Sequence, residues 1–245
     1  KDTINLIGAS LQSSHTSSPR FIIETNTEYT QSDSVYSYDY DWMHEGFRTH
    51  TGTDFESFNR EIKNGSFDLR LLSTPLSNIF NTTTSWTTGI YTRAHKQDLI
   101  QTRIENSSLT NNYSSEFKTN SVAIYSELTS TLTNTTQITY GIRIEELGSD
   151  YTDSKSLNQE FTETLYGGSI SLNTLVGNSL VYGNVSRGYK AGGFNSDASL
   201  SAEEIKFKTE YNISTELGLK SSLLNDTLKT NVAVLNLEKI QTFID

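Results

Sequence analysis

Between residues 138 and 145 the chain alternates without a break. Ile138, Tyr140, Ile142 and Ile144 take one set of positions, and Thr139, Gly141, Arg143 and Glu145 take the other. A strand turns successive side chains to opposite faces, so a period of two makes one face apolar and the other polar. The pattern recurs along the chain. Phe67, Leu69 and Leu71 oppose Asp68 and Arg70, and Trp86, Thr88 and Ile90 oppose Gly89, Tyr91 and Arg93. Val122, Ile124 and Leu128 oppose Ala123, Tyr125 and Glu127. Tyr166, Gly168, Ile170 and Leu172 oppose Leu165, Gly167, Ser169 and Ser171. Later, Ile213, Thr215, Leu217 and Leu219 oppose Ser214, Glu216, Gly218 and Lys220, and Leu228, Thr230, Val232 and Val234 oppose Lys229, Asn231 and Ala233. The chain is rich in Tyr, Thr, Ser and Asn, and its prolines are Pro19 and Pro75 alone. All of this predicts about ten antiparallel strands and no helix of ordinary length.

Strand length and connector length bear on where such a sheet lives. The strands are often about 12 residues long, whereas soluble strands centre near 5–6. A tilted strand needs roughly 9–11 residues to cross a bilayer's hydrocarbon. Connectors are expected at residues 12–19, the forties and early fifties, 74–83, 97–117, 132–136, 148–160, 175–179, 190–208 and 224–227. They run short, long, short, long, as in an outer-membrane barrel with turns at one end and loops at the other. A charged face then cannot meet lipid, where a midplane cation costs about 2–4 kcal/mol. Arg143, Glu145, Glu216 and Lys220 are therefore expected to face a lumen.

The bulk properties exclude several other classes. No apolar run approaches about 18 residues, so no helix is expected to span a membrane. A mean hydropathy of −0.48 is compatible with a barrel, whose lumen and loops are polar. The net charge of −10 argues against nucleic acid as a partner. With no cysteine, neither disulfides nor thiolate metal sites are available. His15, His44, His50 and His95 lack metal-ligand spacing, and no nucleophile elbow or catalytic triad is present. Neither an enzyme activity nor a cofactor is expected.

Residues 179–195 read S-L-V-Y-G-N-V-S-R-G-Y-K-A-G-G-F-N, a strand leaving its sheet through a glycine-rich exit. The string resembles a signature of TonB-dependent outer-membrane receptors. Residues 32–42 (S-D-S-V-Y-S-Y-D-Y-D-W), 67–73 (F-D-L-R-L-L-S), 122–145 and 216–226 are similar to further family strands, in the family's order. Asp68 stands where glutamate is usual, and Asn225-Asp226-Thr227 departs from the family's D-G-R turn. The resemblance implies an all-β, antiparallel transmembrane barrel of 22 strands in the bacterial outer membrane, blocked by an N-terminal plug and opened by the TonB complex using proton-motive force. It implies a monomer in outer-membrane lipid. About ten strands cannot close such a barrel. Residues 1–245 are thus expected to be a middle portion, lacking plug and C-terminal strands.

The resemblance further implies uptake of a scarce, bulky ligand, most commonly an iron–siderophore complex. Cobalamin or an oligosaccharide stays open, as do a passive porin-like barrel and a soluble β-sandwich binding module. Extracellular-loop candidates for ligand contact are Tyr38, Tyr40, Trp42, Arg48, His50, Tyr113, Tyr151, Tyr189 and Lys190. The stretch from Tyr38 to Trp42 could hold calcium or stack on a ligand ring; the plainer reading is an aromatic girdle beside an acidic loop. Gly188, Gly192 and Gly193 read as structural, since no helix follows to form an anion site.

Overall fold

The alternation is realised as one continuous antiparallel ladder. The computed structural model describes residues 2–39, 54–80, 83–195, 200–225 and 227–241. The long strands are β1 (Thr3–Ser18), β2 (Phe21–Asp39), β3 (Phe55–Ser73), β4 (Thr84–Glu105), β5 (Ser108–Thr131), β6 (Thr136–Asp153), β7 (Asn158–Val176) and β8 (Ser179–Lys190). Then come β9 (Gly193–Phe194), the one-turn helix α1 (Ala202–Ile205), β10 (Lys206–Phe207), β11 (Glu210–Leu223) and β12 (Leu228–Gln241). Ten strands form one sheet in the order β1-β2-β3-β4-β5-β6-β7-β8-β11-β12, while β9 and β10 pair separately.

Register carries side-chain type across this sheet. Ile124 lies opposite Ile144 and Ile144 opposite Tyr166, while Leu128, Tyr140 and Ile170 make a parallel row. Leu217 lies opposite Val234, and Leu219 opposite Val232. None of the described residues covers them: Ile124, Ile142 and Leu217 remain 63%, 63% and 65% exposed. A soluble sandwich buries such residues under a second sheet, gaining about 1.5–3 kcal/mol apiece. Among the described residues the other sheet is only the two-residue β9–β10 pair. A continuous apolar face of this extent is suited to lipid hydrocarbon.

The middle strands outrun the membrane. On β6 the apolar series stops at Ile144, and the same face continues as Glu146, Gly148, Asp150 and Thr152. β4 and β5 are 22 and 24 residues long, about twice the roughly 9–11 needed to cross. On the outlying part of this face, Lys63, Lys96 and Lys118 sit side by side across β3, β4 and β5, with Glu61, Asp98 and Glu116 as the next row out. Like charges in adjacent strands repel. Here the rows neutralise each other, with Lys63 at 2.7 Å from Glu61 and Lys96 at 3.0 and 2.7 Å from Asp98 and Glu116. Hydrogen bonds from Lys118 and Lys96 hold the Glu116 carboxyl below its ordinary value.

Several expected connectors are strand instead. Residues 12–18 continue β1, and the chain turns at Pro19 and Arg20. The long loop expected at 97–117 is a hairpin, with β4 and β5 joined by Asn106 (φ 49°) and Ser107 (φ 61°), a primed two-residue turn. Likewise, most of 148–160 is paired strand. The physical reason is shared: beyond the bilayer both faces of a strand meet polar surroundings, so the apolar–polar period disappears while the backbone ladder continues. The turns at 132–135 and at Gly177 and Asn178 fall where expected, and beyond β11 the Thr227 amide donates to the Leu224 carbonyl.

Candidate functional site

The polar face is tied together by tyrosines lying across glycines. Gly89 is paired directly with Tyr125, and a Cβ there would meet the Tyr125 ring at 2.5 Å. The ring therefore lies flat, and its hydroxyl donates to Asp68 at 2.7 Å, beside the Arg70–Asp68 ion pair. Gly167 has the same role for Tyr189, whose ring carbon would lie 3.3 Å from an added Cβ. The Tyr189 hydroxyl reaches Glu145 at 2.7 Å and accepts from Arg143 at 3.0 Å. Arg143 also binds Glu145 at 2.8 Å and lies 5.0 Å from the Tyr91 ring. A third instance sets Tyr182 over Gly218, donating to Glu216 at 2.6 Å, with Lys220 5.2 Å from its ring. Arg143, Glu145, Glu216 and Lys220 thus share the face opposite Ile142 and Leu217, with their charges engaged in the wall. Tyr189 belongs to this wall too, rather than to a loop.

At the outlying end, residues 191–195 and 200–207, between β8 and β11, fold back onto the polar face. Phe194 on β9 stacks on Tyr151 at 5.0 Å and meets Phe161 at 5.5 Å and Phe117 at 6.0 Å. Ile205 completes this cluster, the chief apolar core of the described residues. Polar anchors flank it. The Gly192 amide donates to Glu163 and to the Thr209 hydroxyl, both at 2.9 Å, and Thr209 donates to Glu163. Lys206 lies 4.7 Å from the Phe161 ring and exposed Lys190 5.4 Å from that of Phe207.

This arrangement corrects two loop assignments. Tyr113 and Tyr151 stand in β5 and β6, only 1% and 0% exposed, with their hydroxyls 2.5 Å apart. Burial pushes both phenols up. They support the inward fold and are closed to a ligand. The error arose because their strands look polar on both faces.

A different aromatic group is open. Tyr36 and Tyr38 on β2 and Phe58 on β3 form a cluster with ring separations of 5.8–6.3 Å, and Tyr36 is 52% exposed. Beneath it lies buried Glu56, which accepts from Tyr38, from Gln101 at 2.7 Å and from Arg103 at 2.9 Å. Burial pushes the Glu56 carboxyl up, but these three donors outweigh it and leave it below its ordinary value. The same contact pushes the Tyr38 phenol up to about 12. Sequence reasoning picked out Tyr38 but missed Tyr36, Phe58, Glu56, Gln101 and Arg103. The available signal was the same-face spacing of 36 with 38 and of 56 with 58. Tyr40, Trp42, Arg48 and His50 lie outside the described residues. Among the described residues, no three His, Asp or Glu side chains converge as a metal ion would need.

A sheet with one bare apolar face, one ion-paired face and strands that outrun the bilayer defines the wall of a membrane-spanning β-barrel. The family description "TonB dependent receptor-like, beta-barrel" matches residues 2–239, and the chain belongs to that family. Its members are outer-membrane transport receptors and not enzymes. The fold is shared with the ferric yersiniabactin uptake receptor FyuA of Yersinia pestis, at 18% identity and a TM-score of 0.77 over 97% of this chain and 36% of that one. The closed form of the ferric-catecholate import receptor Fiu of E. coli K12 follows at 15% and 0.74, over 97% of this chain and 41% of that one. The ferric preacinetobactin receptor BauA of Acinetobacter baumannii gives 15% and 0.67, over 96% of this chain and 37% of that one. The chain thus spans less than half the length of each. No individual curated protein sequence matches it.

Proposed function

We propose that residues 1–245 form part of the barrel of a receptor that imports a bulky ligand, a ferric siderophore in the first instance, in a TonB- and proton-motive-force-dependent way. On this reading the polar face lines the lumen and the apolar face meets outer-membrane lipid. The plug that contacts the TonB complex and the remaining strands belong to the rest of a monomeric receptor. The observation that carries the reading is the open Tyr36–Tyr38–Phe58 group, set on the polar face beyond the membrane band. Flat aromatic faces there suit a large ligand arriving from outside, and the neighbours in fold are named for ferric-complex uptake.

The same rings favour a second cargo. The chain carries −10 overall, which suits a neutral sugar better than an anionic chelate. Uptake of radiolabelled ferric siderophores, cobalamin and oligosaccharides by cells carrying the full-length gene, with and without TonB, tests both. TonB-dependent accumulation of a ferric siderophore, reduced by Tyr36→Ala, is the expected result. Accumulation that persists without TonB overturns active import in favour of a passive pore.

A further inference from the structure

We propose that Arg187, held against Tyr166 and Tyr211 on the apolar face, seats the phosphate of a membrane lipid headgroup. The guanidinium carbon lies 4.2 Å from the Tyr166 ring and 4.0 Å from that of Tyr211, and the two ring centroids are 6.3 Å apart, so the cation rests over both rings together. All three residues stand where the apolar band ends. Arg187 follows Val181 and Val185 on β8, Tyr166 is the last apolar residue of β7 before Thr164 and Thr162, and Tyr211 precedes Ile213 on β11. That is the level of headgroups, where tyrosines gather at a barrel's girdle.

The charge there is unanswered. Arg70, Arg103 and Arg143 each meet a carboxylate on the polar face. Arg187 makes no ion pair among the described residues, and its single hydrogen bond goes to the Tyr166 carbonyl. That bond has a structural cause: the β7–β8 ladder ends at the Gly168–Arg187 pair, leaving the Tyr166 carbonyl without a β8 partner. One of five N–H donors closes the ladder. The two rings lie together against the guanidinium, and its remaining N–H donors meet no acceptor among the described residues. An edge of paired N–H groups matches a phosphate's oxygens in two-point contact, which an ammonium does not reproduce. Next to it on the same face are Gly168 and Ile142, a flat apolar strip for the lipid's acyl chains. This site is independent of the receptor's cargo.

The test uses the full-length receptor, purified in neutral detergent and offered phosphatidic acid or diacylglycerol with identical acyl chains. Native mass spectrometry reads the lipid retained on folded protein. Expected is phosphatidic acid retained over diacylglycerol, a preference that Arg187→Gln reduces about fivefold or more, the worth of one charge-assisted contact. Inorganic phosphate at millimolar concentration is expected not to compete. Equal retention by wild type and Arg187→Gln overturns the proposal, and competition by inorganic phosphate reassigns the site to a free anion and overturns it equally. Should Arg187→Gln fail to assemble, Tyr211→Leu serves instead, since it spares the bond to the Tyr166 carbonyl. Unchanged lipid preference in that variant overturns the proposal.

Discussion

The hydroxyl of Tyr189 on β8 lies 2.7 Å from the carboxylate of Glu145 on β6, reaching across β7 at Gly167. This one contact links alternate strands of the wall, and it passes over Gly167, which has no side chain to crowd the ring. An added Cβ would lie 2.9 Å from the Arg187 carbonyl and 3.3 Å from the Tyr189 ring.

Gly167→Val is therefore expected to displace Tyr189 and leave Arg143 and Glu145 short of a partner. The loss is about 1–3 kcal/mol, typical of overpacking. Gly148→Ala, where an added Cβ meets nothing within 4 Å, is expected to be neutral. The temperature at which the full-length barrel loses its folded gel mobility checks both.

Face assignment makes an equally direct prediction. Ile142 is 63% exposed on the apolar face, while Thr139 points the other way, its hydroxyl 3.2 Å from that of Thr129. Ile142→Arg is expected to cost about 2–4 kcal/mol in lipid and block assembly. Thr139→Arg is expected to be tolerated. Quantifying heat-modifiable barrel in isolated outer membranes compares them.

The Glu56 network sets a pH dependence at the outlying ends of β2, β3 and β4. Because the folded carboxyl titrates below its ordinary value, its stabilisation is fully present above the unfolded value of about 4.3 and is lost as pH falls through the folded one. Limited pepsin cleavage near Tyr38 and Phe58 is expected to rise below about pH 4. Glu56→Gln, which removes the titration, is expected to flatten that rise.

Phe194 is the aromatic centre of the fold-back between β8 and β11. Phe194→Ala removes the ring that meets Tyr151, Phe117 and Phe161, at about 3–5 kcal/mol. Trypsin is expected to cut at Lys206 and Lys208 at least tenfold faster while the ten-stranded sheet stays intact. Mapping the fragments by mass spectrometry decides the matter.

Within the bilayer, the local order of side chains was enough. Ile138, Tyr140, Ile142 and Ile144 against Thr139, Gly141, Arg143 and Glu145 determined strand, face and environment together, because lipid on one side and polar surroundings on the other impose a period of two. Outside the bilayer that asymmetry vanishes, which is why residues 97–117 read as a loop and proved to be a hairpin. Only the tertiary structure decided that Tyr113 and Tyr151 are buried, that Tyr36 and Phe58 are together, and that Arg187 lies against two tyrosines. Each of those facts depends on which strand lies beside which, and on where the chain between β8 and β11 comes to rest. Such contacts join residues tens of positions apart, and no local pattern records them.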